Sequence, residues 1–328
     1  MLIDVHTHVT PPAFPPSPTP DVAARWPCMR CTAPGHATLL TGETPFRQLD
    51  DRSWRAERRL EDMAHAGVSM QVLSPMPELL SYWLPDTAAE IVGDAVNAHI
   101  AELVACHTDA FRGLGAVTLQ NPSVAARQLS QLKSRFGLHG VEIGSNVNGL
   151  ALGDPRFEPF FAAAEQEGMA IFVHALHPVA RARGMSAQYA SVVLFPLEIA
   201  MAAASLLMAG VLERHPGLRI GFSHGAGALP TMLGRLDQGW LRAPDIATLS
   251  SPPSVTARAL FMDSNVYDPA QLAHLATVIA PGRVFAGSDY PYRIMESDIG
   301  GLIDATGLAE DRRAEIRYCA AQAFLGEA

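Results

Sequence analysis

Four strand-like runs, far apart in the chain, each lead into a side chain able to bind a metal ion, and this recurrence constrains the fold more than any other feature. Met1-Leu-Ile-Asp-Val5 runs into His6-Thr-His8, Ala170-Ile-Phe-Val173 into His174, Arg219-Ile-Gly-Phe-Ser223 into His224, and Arg283-Val-Phe-Ala-Gly-Ser288 into Asp289. In an extended backbone, side chains i and i+2 leave on the same side, so His6 and His8 can converge on one ion. Two imidazoles do not complete a metal shell. The remaining donors come from other strands, which calls for a fold that gathers several strand ends in one place.

The intervening sequence alternates in a way that supplies such a fold. After the opening strand, strands are expected over Val68 to Leu73, Gly113 to Val117, Gly140 to Ile143, Met169 to Val173, Leu218 to Phe222, Leu260 to Met262 and Val284 to Ala286. Helices are expected over Trp54 to Ala66 with Ser53 as N-cap, then to about Cys106 with Asp86 as cap, and over Ser123 to Phe136, Pro155 to Glu167, Pro196 to Arg214, Leu229 to Leu241, Pro269 to Ile279 and Glu310 to Phe324. Eight strands, each followed by helix, give an α/β chain whose expected architecture is a (β/α)8 TIM barrel. A chain of 328 residues suits one such barrel over 1–328. Residues 11–52, rich in proline and in small and polar residues, read as an insertion after the first strand, forming a lid or small subdomain.

Composition narrows the partners. A net charge of −9 argues against nucleic acid, which needs a basic face. The longest apolar run, Ile199 to Leu212, falls short of the roughly 20 residues that cross a bilayer, so no membrane partner is expected and the run reads as a buried helix at a subunit interface. With four cysteines and an opening segment unlike a signal peptide, the expected location is the reducing cytoplasm. Cys28-Met-Arg-Cys31, with His36 nearby, is half of a zinc ribbon without a second pair. Of the 24 basic residues only Lys133 is lysine, so lysine-based chemistry has a single candidate.

All five donors, His6, His8, His174, His224 and Asp289, follow predicted barrel strands, and in a TIM barrel the loops after the strands build the active site. Their common placement outweighs the ordinary reading of each as a hydrogen-bonded loop residue or helix cap. Val5-His6-Thr-His8, Phe172-Val-His174, Ser223-His224-Gly-Ala-Gly-Ala-Leu-Pro230 and Gly287-Ser-Asp289-Tyr-Pro291 resemble the amidohydrolase superfamily, in particular its decarboxylase branch of aminocarboxymuconate-semialdehyde type. Similar stretches run from Phe46-Arg47 through Gly67-Val-Ser-Met-Gln-Val-Leu-Ser74, Ser81-Tyr-Trp83 and Gly234-Arg235 over nearly the whole chain.

The resemblance implies one divalent ion, zinc, bound by His6, His8, His174 and Asp289, with His224 beside it as general acid/base and no organic cofactor. It also implies that Arg47 and Arg235 hold a small-molecule carboxylate, Arg235 reaching in from the neighbouring subunit of a homodimer. The expected activity is non-oxidative decarboxylation of a small unsaturated or aromatic acid. The alternatives are a hydrolase or hydratase using the same metal on a lactone, ester or unsaturated dicarboxylate, or a metal-holding barrel without catalysis. Strand four reads Val141-Glu-Ile-Gly144 and carries no lysine, which argues against a carbamylated-lysine binuclear centre. Ala175-Leu176-His177-Pro178 departs from the family pattern and makes His177 a rival to His174 as ligand.

Overall fold

The computed structural model describes residues 1–178, 189–243 and 249–327. The chain opens with β1 (Ile3–Val9), and a short helix α1 (Pro20–Ala23) leads into β2 (Pro27–Ala33), β3 (His36–Thr41) and β4 (Thr44–Asp50). From residue 56 helix and strand alternate: α2 (Ala56–Ala66), β5 (Met70–Pro75), α3 (Asp86–Cys106), β6 (Phe111–Gly115), α4 (Pro122–Phe136) and β7 (Gly140–Gly144). A small hairpin of β8 (Asn146–Val147) and β9 (Leu150–Ala151) precedes α5 (Glu158–Glu167), β10 (Ala170–His174), α6 (Phe195–Met208), α7 (Val211–Arg214) and β11 (Ile220–Phe222). Then follow α8 (Leu229–Arg242), α9 (Pro253–Thr256), β12 (Phe261–Asp263), α10 (Pro269–His274), β13 (Val284–Phe285), α11 (Ile299–Asp304), α12 (Glu310–Ala314) and α13 (Ala320–Leu325).

Strands β1, β5, β6, β7, β10, β11, β12 and β13 form one parallel sheet in that order. The Val5 N–H donates to Ala286 O at 2.9 Å and Thr7 bridges Tyr290, so the last strand returns to the first and the (β/α)8 barrel closes. Strands β7, β10, β11, β12 and β13 are buried at every position, which explains why they read as near-continuous apolar runs rather than alternating ones. Ile3, Val5, Val72, Leu114, Phe172, Phe261 and Phe285 make one buried cluster, and Phe324 of α13 joins it with its ring 5.4 Å from Phe261 and 5.1 Å from Phe285. Each such side chain contributes about 1.5–3 kcal/mol by leaving water. This packed interior leaves the opposite end, where the histidines lie, for chemistry.

Several boundaries shift from their sequence expectations for identifiable reasons. Ser53 does not cap a helix; Asp50 accepts from Arg52 N to start a single 3₁₀ turn at Asp51–Ser53, and α2 begins at Ala56. Asp86 is the first helical residue of α3 rather than its cap. The helix expected from Pro196 to Arg214 divides at Gly210, whose φ of +68° is left-handed. An apolar helical segment, Ser191–Met208, has mean hydropathy 2.0 with 44% of it buried, so the apolar stretch starts earlier than Ile199. Residues 27–50 form a three-stranded antiparallel sheet that lacks alternating apolar character: most of β2 and β4 is exposed.

Candidate metal centre

Three strands deliver the four donors. His6 and His8 lie on β1, His174 is the last residue of β10, and Asp289 follows β13. Asp289 has φ +71°, a left-handed conformation uncommon outside glycine, fixed by its N–H donating to His6 O at 2.8 Å. Its Oδ1 lies 3.2 Å from His6 Nε2, 3.2 Å from His8 Nε2 and 3.7 Å from His174 Nε2. The four donor atoms fall within 4.8 Å of one another, all in buried residues.

The other ring nitrogens fix what those atoms offer. His8 Nδ1 lies 3.0 Å from Pro75 O and His174 Nδ1 3.0 Å from Ala175 O; a carbonyl only accepts, so both Nδ1 atoms carry the proton and both Nε2 atoms present a lone pair. His6 Nδ1 donates to Asp263 Oδ2 at 2.6 Å, which orients His6 in the same tautomer. His6 Nε2 and His8 Nε2 are then 3.1 Å apart with lone pairs facing, and His174 Nε2 is buried without a hydrogen-bond partner among the described residues. A cation between them removes the repulsion and satisfies the orphaned donor, so the residues fit a divalent ion. Without one, the pair resolves by protonation: burial disfavours a charged His6, but the Asp289 and Asp263 carboxylates raise its pKa to about 10. Burial pushes His8 and His174 down to about 4. For Asp289 burial opposes ionisation, yet the imidazoles, His6 foremost, hold its carboxyl well below the usual range.

His224 stands beside this group without joining it. Its ring centroid is 5.4 Å from that of His6 and 5.5 Å from that of His174, and it stacks on Phe195 at 6.4 Å and 28°. Its Nε2 is buried with no hydrogen-bond partner among the described residues, and its φ is +54° in the turn after β11. Burial lowers its pKa to about 4, so the ring is neutral near pH 7.

A cavity of about 430 Å³ opens onto the centre, bordered by His174, Asp289, Phe195, Tyr292, Arg47 and Glu78. Arg47 reaches it from β4 of the inserted sheet, its guanidinium 4.4 Å from the centroid of Tyr292 and 3.8 Å from Glu78 Oε1. Tyr292 in turn stacks on His8 at 4.9 Å and 21°. Arg235 is not brought to the cavity; it sits on the exposed side of α8 with no ion pair among the described residues. His177 is exposed with its ring 4.9 Å from Trp83, so His174 alone of the two rivals enters the cluster. Cys28 and Cys31 are exposed free thiols outside any such group.

Asp263 and Glu142 were not singled out by sequence reasoning. Asp263, fully buried at the end of β12, accepts from His6 and from the Gly225 and Asn265 N–H groups at 2.7 and 3.1 Å. It follows an apolar run just as Asp289 does, and that signal could have found it. Glu142, buried on β7 with one oxygen 3.5 Å from His8 Nδ1, has its pKa raised well above the usual range, chiefly by burial. It stands on the strand where a lysine is missing.

The family model described as amidohydrolase matches residues 3–326. Among curated proteins, the chain is 30% identical over 307 residues to the 2-amino-3-carboxymuconate-6-semialdehyde decarboxylase of Dictyostelium discoideum, covering 93% of this chain and 86% of that one. Among solved structures, the 5-carboxyvanillate decarboxylase of Sphingomonas paucimobilis superposes with a TM-score of 0.83 at 25% identity, covering 99% of this chain and 98% of that one. A dihydroxybenzoic acid decarboxylase of Polaromonas sp. JS666 with bound manganese shares the fold at a TM-score of 0.80 and 20% identity, over 99% and 96% of the two chains.

Proposed function

This chain belongs to the amidohydrolase family, and on that premise we propose that it is a metal-dependent, non-oxidative decarboxylase of a small unsaturated or aromatic carboxylic acid. The observation that carries the reading is a single buried three-histidine, one-aspartate centre with a fourth histidine, His224, left over beside it. When bound, the divalent ion supplies Lewis acidity that polarises a substrate oxygen. Arg47, stacked on Tyr292, holds the substrate carboxylate by its guanidinium fork and so orients the bond to be broken. As the C–C bond breaks, carbon dioxide departs and the bonding pair stays on carbon. His224, neutral near pH 7, relays to that carbon one proton drawn from solvent, completing the C–H bond of the product and ending neutral again. Phe195 against His224 keeps that side of the cavity apolar, so bulk water competes poorly for the transfer.

The ion we assign is zinc, because three imidazoles and one carboxylate suit it. The manganese in a structural relative makes metal identity a matter for loading experiments. We also assign a homodimer in which Arg235 serves the partner's cavity. Supporting this, Val192, Leu197 and Met201 on the segment leading through α6 are 63%, 45% and 48% exposed, an apolar face we read as a subunit interface rather than a membrane span. The expected location remains the cytoplasm, and no nucleic acid partner is proposed for so acidic a chain.

Metal-loaded protein incubated with a panel of hydroxybenzoates and unsaturated dicarboxylates should release carbon dioxide. Water addition or ester cleavage without carbon dioxide would instead establish the hydrolase reading.

A further inference from the structure

A second cavity, of about 680 Å³, lies against the inserted sheet and adjoins the one that opens onto the metal centre. The two share Arg47, Tyr292 and Arg293 as a common wall, so a molecule in the outer cavity faces the inner one across these three side chains. At a net charge of −9 the chain as a whole repels an anion at long range. The charged residues bordering the outer cavity have the opposite balance: Arg47, Arg52 and Arg293 against Asp50.

The three arginines are not equivalent. Arg52 is neutralised by Asp50 through two hydrogen bonds, Nε to Oδ1 at 2.8 Å and Nη2 to Oδ2 at 2.7 Å. Arg47 lies over the ring of Tyr292 and 3.8 Å from Glu78 Oε1. Arg293 is exposed and makes no ion pair or hydrogen bond among the described residues. Its place on the backbone is set nonetheless, because it follows Tyr292, whose ring stacks on His8 and whose N–H donates to Asp289 O at 3.0 Å. A long side chain without a partner keeps its rotamer freedom, so Arg293 offers a charge at the threshold but no rigid fork to retain a ligand. Charges on a rim act on how fast a partner arrives and are screened by salt, whereas desolvated contacts govern how long it stays. At about 6 Å in water, one unit charge raises the local concentration of a monovalent anion about 3-fold.

We infer that Arg293 is a capture residue: it draws anionic substrate through the outer cavity to the metal centre and acts on the association rate, while Arg47 holds the carboxylate once it is bound. This rests on the decarboxylase reading, which makes the substrate an anion. It adds to that reading an entry route and the residue that sets the rate of entry.

The test is stopped-flow fluorescence of 2-hydroxybenzoate, an anion, and 2-hydroxybenzamide, its neutral analogue, binding to zinc-loaded wild type, Arg293→Gln and Arg293→Glu, with metal content measured in each. In wild type the association rate constant of the anion falls about 3-fold or more between roughly 20 mM and roughly 500 mM salt, while that of the amide stays level. At low salt Arg293→Gln lowers the anion's association about 3-fold and flattens its salt dependence, and Arg293→Glu lowers it about 10-fold. Dissociation rates stay within about 2-fold throughout. Arg127→Gln, which removes an exposed charge on the outer helix α4, leaves the anion's association unchanged. An unaltered association rate in Arg293→Glu, a change confined to dissociation, an equal loss for the amide or in Arg127→Gln, or a wild type that does not bind the anion overturns the assignment. Carbon dioxide release by wild type is scored separately and tests the decarboxylase reading, so the two can fail independently.

Discussion

Asp263 Oδ2 lies 2.6 Å from His6 Nδ1, across 257 residues of sequence, and sets which nitrogen of His6 faces the metal position. Its Oδ1 is already committed to the Gly225 and Asn265 N–H groups. In Asp263→Asn the oxygen stays with those backbone donors and the amide nitrogen is turned to His6, where two donors would meet. Relief requires His6 to move its proton to Nε2, closing the lone pair to the ion. Metal affinity, measured by chelator competition, should fall by roughly 10- to 100-fold with little change in fold.

Metal binding should also release a proton. His6, with its pKa raised to about 10 by Asp289 and Asp263 against the opposing effect of burial, is protonated at pH 7–8 in metal-free protein, and its lone pair is needed for coordination. Titrating metal in buffers of different ionisation enthalpy should reveal about one proton released per ion, with affinity rising as pH rises through this range. Binding with no proton release would contradict the assigned His6 environment.

Close approach of backbones behind the centre makes Gly287 irreplaceable. A Cβ built there lies 2.8 Å from His6 Cβ and 2.9 Å from Asp263 Cβ, both on buried strands that cannot give way. Gly287→Ala should destabilise the protein by about 1–3 kcal/mol in denaturant melts and reduce metal retention. Gly239→Ala in α8, where nothing lies within 4 Å of the added carbon, is the control and should be neutral or slightly stabilising.

The barrel and its ligands were legible because each depends on local signals. β10 and β13 are buried on both faces and therefore read as short apolar runs, and His174 and Asp289 stand at their ends. What escaped depends on contacts between distant segments. β2 to β4 are held by antiparallel pairing at the surface, with no buried stripe to mark them, so the sheet that brings Arg47 to the cavity has no periodic signature. Glu78 and Tyr292 acquire meaning only once that sheet sets Arg47 against them. Ser53 looked like a cap because hydroxyls favour that position, but Asp50 starts an earlier turn and defers the helix to Ala56.

Acid should weaken the fold through His99 on α3. Burial, reinforced by Arg59, lowers its pKa to about 4, and its Nε2 is buried without a hydrogen-bond partner among the described residues. Above pH 6.5 the ring is neutral in both folded and unfolded chains and costs nothing. As pH falls from 6.5 towards 4 the unfolded chain takes up a proton that the folded one resists, so stability drops, by about 1–2 kcal/mol once partial exposure is discounted. His99→Leu should flatten this part of the stability–pH curve measured by urea unfolding.

Carbon dioxide release and bound metal, measured together on His224→Ala, test most directly the division of labour between four donors that hold the ion and one histidine that moves the proton. The variant should keep one divalent ion per chain and lose turnover by about 10²- to 10⁴-fold. Wild-type rates of carbon dioxide release in this variant, or loss of the ion with His6, His8, His174 and Asp289 intact, would contradict it.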